Sequence, residues 1–344
     1  MTGTAAPPTL RVRDLHAGFA TQAGFVRAVR GVSFDVARGE RLALVGESGS
    51  GKSALALTIA ALLEPPGRLE QGEIWLGDRD LTAMPERELR QVRGKEVAVI
   101  FQDALTGLDP VKTIGSQLVE CLRTHNRDVS RKASERRAAE LLAEVGIPHP
   151  ARRARDYPHQ FSGGMRQRVM IAMAIANEPQ LLIADEPTTA LDVTTQAQIL
   201  RLLARMAENH GCSVIFITHD LGIVAGFCDR VCVMYAGRIV ETSTVDEVFA
   251  HPVHPYTEAL LRAIPRPELA GRRRLLEIGG TPPDPLRLPP GCSFEPRCFV
   301  GNGTPRCRDE VPATVQLERR AAPLAVECHF AAERAANETL RRAG

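Results

Sequence analysis

No run in this 344-residue sequence approaches the ~18 consecutive apolar residues of a membrane-crossing helix. Any membrane path connected with its function is therefore expected on other chains. Neither sign of charge is in real excess, with 43 Lys and Arg against 41 Asp and Glu. Composition thus leaves no basic footprint for nucleic acid. The local runs Arg131-Lys132, Arg152-Arg153 and Arg272-Arg273-Arg274 read as solvated faces. Met1 to Pro8 has neither a basic start nor an apolar stretch, so a short disordered tail is expected there rather than a signal peptide. These absences predict a cytoplasmic protein. Hydrophobic residues make up 44% of the chain, ample for a core, and the length suits two or three structural units.

Four apolar runs that read as buried strands end on residues suited to nucleotide chemistry. Arg41 to Val45 leads into Gly46-Glu47-Ser48-Gly49-Ser50-Gly51-Lys52-Ser53, a full match to G-x-x-x-x-G-K-S. Its glycines let backbone N–H groups turn inward as an anion nest. Lys52 places a point charge on β- and γ-phosphates, and Ser53 offers a hydroxyl to Mg2+. The Ala/Leu-rich segment from Ser53 to Leu63 predicts a helix whose N-terminus faces the phosphates. Val97 to Phe101 ends on Gln102, whose amide can order water or touch Mg2+. Leu181 to Ala184 ends on Asp185, a Mg2+-side carboxylate, followed by Glu186, which can deprotonate the attacking water. Val214 to Thr218 ends on His219. If these runs pair in parallel, all four motifs meet outside the carboxyl edge of one sheet.

A second helix opened by glycines follows Phe161-Ser162-Gly163-Gly164-Met165-Arg166-Gln167-Arg168. One ATP does not need two phosphate-binding helix ends on one subunit. This segment resembles the signature motif of ABC-type ATPases, in which two subunits pack head to tail. The signature of one then caps the ATP held by the phosphate loop of the other. The resemblance spans about residues 9 to 344. It implies that Phe19 stacks on adenine, near a second phenylalanine, Phe25. It further implies that Gln102 is the Q-loop glutamine, that Ala190-Leu191-Asp192 is the D-loop crossing the dimer interface, and that His219 contacts the γ-phosphate.

Met234-Tyr235-Ala236-Gly237, His254-Pro255-Tyr256-Thr257 and the tail through Gly291-Cys292-Ser293-Phe294-Glu295-Pro296-Arg297-Cys298 narrow the resemblance to oligopeptide/dipeptide permease ATP-binding subunits. One departure is Ala104, where that group suggests proline. The implied fold is α/β: a P-loop ABC-type ATPase with a RecA-like core, an antiparallel β subdomain, a helical subdomain and a C-terminal cysteine-containing extension. The expected division is a tail over 1–8, an ATPase domain over 9–250 with its helical part at about 105–177, and the extension over 251–344. The implied partners are a homologous second ATPase subunit, two membrane permease subunits and an extracytoplasmic solute-binding protein. Nucleic acid is not among them, and the implied location is the cytoplasmic face of the membrane. The alternative is a soluble ABC ATPase acting on nucleic acid or ribosomes. Such proteins typically carry coiled-coil insertions or two phosphate loops, and this chain has one phosphate loop.

Smaller elements follow from periodicity. Val32, Phe34 and Val36 alternate with Ser33 and Asp35 as a half-buried strand, and Ile74 and Leu76 repeat the pattern. Ile114, Leu118 and Leu122, then Leu141, Leu142 and Val145, recur at helical spacing, with Gly146 as a stop. His251-Pro252-Val253-His254-Pro255 reads as a rigid loop, and Thr281 to Pro290 as a semi-extended connector.

Of eight cysteines, Cys121, Cys212, Cys228 and Cys232 lie in or beside apolar segments and read as small core residues. Cys292, Cys298, Cys307 and Cys328 occupy a Gly/Pro/Arg-rich stretch of little apolar content. A cytoplasmic protein should not keep two structural disulfides there. A segment without a core needs a staple, which four thiolates on a metal would provide. Their spacing lacks C-x2-C and so matches neither zinc-ribbon nor ferredoxin patterns. The resemblance implies a [4Fe-4S] cluster, structural or redox-sensing. Zinc and unliganded thiols stay open, and a sensor module could coexist with transport.

Overall fold

The computed structural model describes residues 7–102, 107–126, 128–189, 191–264, 278–318 and 324–336. The chain divides into two compact units. One gathers Met1–Arg11, Asp35–Glu40 and Trp75–Phe216; the other gathers Val12–Phe34, Arg41–Ile74 and Ile217–Gly344.

In the first unit, Val97–Ile100 and Leu181–Asp185 pair in parallel, with Val97 opposite Leu181 and Ile100 opposite Ala184. Leu181 to Ala184 are fully buried, which is why that strand reads as an unbroken apolar run. The register brings the carboxyl ends of both strands level. The helices Ile114–His125, Arg131–Glu144, Gly163–Ile175 and Val193–His210 belong to the same unit. Ile114, Leu118 and Leu122 on the first, and Ala138, Leu141 and Leu142 on the second, form buried stripes at helical spacing. Thr113 and Ser130 cap these two helices, accepting from Ser116 N and Ala133 N. Gly146, at φ +76°, ends the second helix as the sequence predicted. The Ile147 N–H reaches back to Leu142 O at 2.9 Å, which closes the turn.

Gly24–Val36, Leu10–Thr21 and Gly67–Leu76, most of whose residues belong to the second unit, lie side by side in that order. Val32, Phe34 and Val36 are buried and Ser33 is exposed, as the alternation required. Arg41–Val45 pairs in parallel with Arg230–Tyr235, Leu42 facing Arg230 and Val45 facing Val233. Arg238–Thr244 continues antiparallel from Arg230–Tyr235. The strand Arg41–Val45 leads into a loop and then the helix Lys52–Ile59. That helix is shorter than the apolar run suggested. Ala61 takes a left-handed φ of 54°, and Leu62 N bonds back to Leu57 O at 2.8 Å.

The C-terminal residues add to this sheet. Leu324–Val326 pairs antiparallel with Arg238–Thr244, and Val315–Leu317 pairs with Leu324–Val326. Val253, Leu324, Val326, Cys328 and Ala331 form a buried cluster, with Val315, Leu317 and Phe330 against it. Arg238 holds Glu327 by two hydrogen bonds of 2.6 and 2.9 Å. The extension therefore has strand pairing and an apolar core of its own. Thr281 to Pro290 contains no helix, as the prolines predicted. Among the described residues, no helix is long and apolar enough to cross a membrane.

The helix Pro255–Arg262 begins at His254, whose Nδ1 accepts from Tyr256 N at 3.1 Å. Burial, with the charge of Arg334 adding to it, pushes His254 down to about 3. Its unfolded counterpart titrates near ~6.5. Between these values the unfolded chain binds the extra proton, so stability falls as pH drops from ~6.5 toward 3. Asn at 254 keeps a cap acceptor and cannot gain a proton. His254→Asn should lower the melting temperature at pH 7 through lost packing, yet flatten its fall between pH 6.5 and 4. Melting curves across that range decide this; an equally steep fall would remove His254 as the cause.

Candidate functional site

The buried strand Arg41–Val45 delivers its chain directly into Gly46. A Cβ on Gly46 would sit 2.2 Å from Met234 O, and one on Gly51, at φ +104°, 2.1 Å from Ala28 O. Only hydrogen fits at both places, so the loop closes tightly. Gly49, at φ +79°, needs glycine for its backbone alone, because no atom lies within 4 Å of a Cβ there. Inside the loop, Lys52 Nζ donates to Gly46 O and Glu47 O at 2.9 Å each, and to Ser50 Oγ at 3.4 Å. The lysine is 5% exposed, whereas Ser48, Gly49 and Ser53 face outward. An open helix end beside a held ammonium suits a polyphosphate, and the outward Ser53 hydroxyl suits its Mg2+. Ser50 is buried, and its carbonyl accepts from Gly237 N at 2.9 Å.

In the first unit, Gln102 and Glu186 come together as the parallel register requires. Gln102 Nε2 donates to Glu186 Oε2 at 3.1 Å, and Thr189 Oγ1 donates to the same oxygen at 3.0 Å. Asp185 is the last strand residue, half-buried. Glu186 adopts a left-handed φ of 46°, uncommon for a side chain of this size. Such strain gathers at functional sites, where surrounding structure holds it in place.

The same unit brings together the segments for which the resemblance implies the signature and the D-loop. Ser162 caps the helix Gly163–Ile175, its Oγ accepting from Met165 N at 3.3 Å. Ser162 and Gly163 are exposed, leaving that helix end open. A Cβ on Gly164 would come within 2.7 Å of Thr195 Cγ2, so glycine allows the two segments to approach. Asp192 caps the helix Val193–His210 through Thr195 N at 3.0 Å and Thr195 Oγ1 at 2.6 Å. The Thr195 hydroxyl holds the Asp192 carboxyl below the usual range. Ala104 and Ala190 lie outside the described residues.

His219, in the second unit, is exposed just after the strand Ser213–Thr218. Phe19 is half-buried, close beside Gly67, while Phe25 is already covered by the Arg68 guanidinium at 4.6 Å. Sequence reasoning assigned no role to Tyr256 or Arg297. Tyr256 Oη accepts from Glu47 N at 2.8 Å, and Arg297 Nη1 donates to Glu47 Oε2 at 2.7 Å. Tyr256 lies in the segment 254–257 and Arg297 in the segment 291–298, both of which resemble the permease ATP-binding subunits.

The expectation of a [4Fe-4S] cluster, or of zinc, on Cys292, Cys298, Cys307 and Cys328 is not upheld. Among the described residues, no group of three or more His, Cys, Asp or Glu side chains could hold a metal ion. The four are free thiols, close enough for their charges to interact. Burial, with neighbouring thiols adding to it, pushes Cys292 up to about 12; burial likewise raises Cys328 to about 11 and lifts Cys307. Cys328 packs with Leu324 and Val326 as an apolar side chain. Cys298 Sγ accepts from Gly301 N at 3.2 Å. The premise of a coreless segment fails together with the cluster, since the extension buries its own apolar side chains.

Residues 29–189 match the family model described as ABC transporter, and residues 240–307 match that of the oligopeptide/dipeptide transporter C-terminal region. The chain is 54% identical over 286 residues to the oligopeptide transport ATP-binding protein OppD of Bacillus subtilis, covering 83% of this chain and 80% of that one. It is 51% identical over 290 residues to the dipeptide transport ATP-binding protein DppD of the same organism, covering 84% and 86%. Among solved structures, the ATP-binding cassette MJ0796, a dimer bound to ADP and Pi, matches with a TM-score of 0.62 and 28% identity. That match covers 69% of this chain and 98% of the other. CbiO1 of Clostridium perfringens, part of the ABC transporter complex cbiONQ, matches with a TM-score of 0.60 and 28% identity, over 71% and 91%.

The two loop glycines predict unequal outcomes. Gly49→Ala should cost about 1–2 kcal/mol, the penalty of a left-handed backbone with a side chain. Gly51→Ala must also push back the strand carrying Ala28, so it should cost more and distort the loop. Melting temperatures and nucleotide titration of both variants compare them; equal effects would contradict the contact with Ala28.

Proposed function

The chain belongs to the ABC transporter ATPases of the oligopeptide/dipeptide group, and from that premise we propose that it hydrolyses ATP to power peptide import through separate membrane permease subunits. The observation that carries this is the 54% identity to an oligopeptide transport ATP-binding protein, over 83% of the chain. The match of residues 240–307 to the oligopeptide/dipeptide transporter C-terminal region favours transport over a soluble ATPase working on nucleic acid or ribosomes. The ATPase domain over 9–250 and the extension over 251–344 are part of the same proposal. So are a homologous second ATPase subunit, a pair of permease subunits, an extracytoplasmic solute-binding protein and a place on the cytoplasmic membrane face.

Each residue takes a role from its chemistry. Gly46 to Ser53 cradle the triphosphate with backbone N–H groups, and Lys52 supplies the charge facing its β- and γ-phosphates. Ser53, Gln102 and Asp185 would hold Mg2+, which neutralises charge on the phosphate oxygens. Glu186 takes a proton from the attacking water, oriented by the Gln102 amide and the Thr189 hydroxyl that bond its carboxylate. His219 contacts the γ-phosphate, and Phe19 stacks on the adenine. Ser162, Gly163 and Gly164 offer their open helix end to ATP held by the partner subunit, with Asp192 at the same interface. Hydrolysis then separates the two ATPase subunits, and that motion reaches the permease.

Glu186→Gln keeps size and hydrogen bonding but removes the base. ATP should still bind while turnover falls by ~10²-fold or more. Lys52→Ala should instead weaken ATP binding. Near-normal turnover of the Gln variant would sink the base assignment. Copurification from solubilised membranes tests the wider reading: permease subunits support it, and stable association with nucleic acid would favour the alternative.

A further inference from the structure

The phosphate-loop pattern leaves its second position free, and Glu47 fills it. The residue is nevertheless held from three sides. Its carboxylate receives both terminal nitrogens of Arg297, Nη1 to Oε2 at 2.7 Å and Nη2 to Oε1 at 2.9 Å. Its N–H donates to Tyr256 Oη at 2.8 Å. Its carbonyl accepts from Lys52 Nζ at 2.9 Å.

Arg297 has little freedom to be elsewhere. Its side chain is 3% exposed. Nε donates to Gly279 O at 2.9 Å, Nη1 also to Tyr235 Oη at 3.2 Å, and Nη2 also to Ile278 O at 3.3 Å. With the two bonds to Glu47, all five guanidinium N–H donors have acceptors. The guanidinium lies 5.8 Å from the Tyr235 ring centre and 5.9 Å from that of Phe294. Tyr256 is equally fixed, fully buried with Tyr235 at 4.6 Å and Phe294 at 5.3 Å between ring centres. Pro282, Pro283 and Leu288 line a cleft with Glu47 to Ser50, so the connector also borders the loop.

We propose that Arg297 is a positioning residue for ATP binding, acting through Glu47 on the carbonyl that anchors Lys52. The C-terminal extension thereby preorders the phosphate loop. A loop of glycines otherwise loses much conformational freedom on closing around a ligand. Holding residue 47 by its amide and carboxylate removes part of that loss before ATP arrives. This rests on the reading above that Gly46 to Ser53 bind ATP.

The test uses the full-length chain, titrated with a fluorescent ATP analogue, together with ATPase kinetics. Arg297→Met and Glu47→Gln should each weaken binding roughly ten-fold or more, the scale on which residues that orient a binding group affect it. KM should rise in step while kcat at saturating ATP changes little. Arg297→Lys should recover part of the loss. The two substitutions change charge in opposite directions. Removing a carboxylate beside a polyanion would by charge alone tighten binding, so weakening in both variants marks positioning rather than electrostatics. The double variant should bind no worse than the weaker single variant. Unchanged affinity in folded Glu47→Gln, with only a lowered melting temperature, would overturn the proposal; multiplied effects in the double variant would do the same. If Arg297→Met does not fold, Glu47→Gln, altered at a partly exposed carboxylate, carries the decision. Lys52→Ala separates the two readings. Normal ATP binding in that variant would sink the loop assignment. Lost binding there, with normal binding in Glu47→Gln and Arg297→Met, would sink Arg297 alone.

Discussion

Lys52 is a cation almost closed off from water inside the loop that carries it. A buried ammonium needs acceptors, because desolvation without partners is expensive. The acceptors available are the carbonyls of Gly46 and Glu47 and the Ser50 hydroxyl. Aiming them inward requires backbone conformations and close approaches that only glycine allows at Gly46 and Gly51. The loop must also be held against rigid neighbours, which the strands carrying Ala28 and Met234 provide. The phosphate loop is thus shaped around its own lysine, and its glycines follow from that requirement.

The same demand extends into the C-terminal residues. Glu47, partly exposed, faces a guanidinium that is itself buried, and the two charge-assisted bonds between them stabilise both groups. The aromatic cluster of Tyr235, Tyr256 and Phe294 supplies the low-dielectric wall around this pair. That wall stands because the extension is a folded part of the second unit. Its strands join the sheet through Arg238–Thr244, and its apolar residues close over Val253. Within it, Cys328 packs in the apolar cluster and Cys298 accepts a hydrogen bond from Gly301 N.

In the first unit, backbone geometry sets where the candidate catalytic groups stand. Two parallel strands in register bring Gln102 level with Glu186. The left-handed turn at Glu186 aims a carboxylate that two hydrogen bonds then hold. The segment from Ser162 and the segment after Leu191 approach closely because Gly164 has no side chain to meet Thr195. Each of the two helices starts at an oxygen cap, Ser162 or Asp192, which leaves the exposed helix end ordered.

Local pattern alone marked the glycine-rich loop from Gly46 to Ser53, the strand-end acids, the helical stripes and the stop at Gly146. Each depends on residues close in sequence, whose backbone and periodicity constrain one another directly. Tertiary structure decided what depends on distance in space. Glu47 and Arg297 are 250 residues apart, and no local rule pairs them. The four C-terminal cysteines carry the same side chain whether they bind metal or fill a core. Spacing between these groups and exclusion of water settle which, and both arise only when the Val315–Leu317 and Leu324–Val326 strands pair and bury their apolar faces.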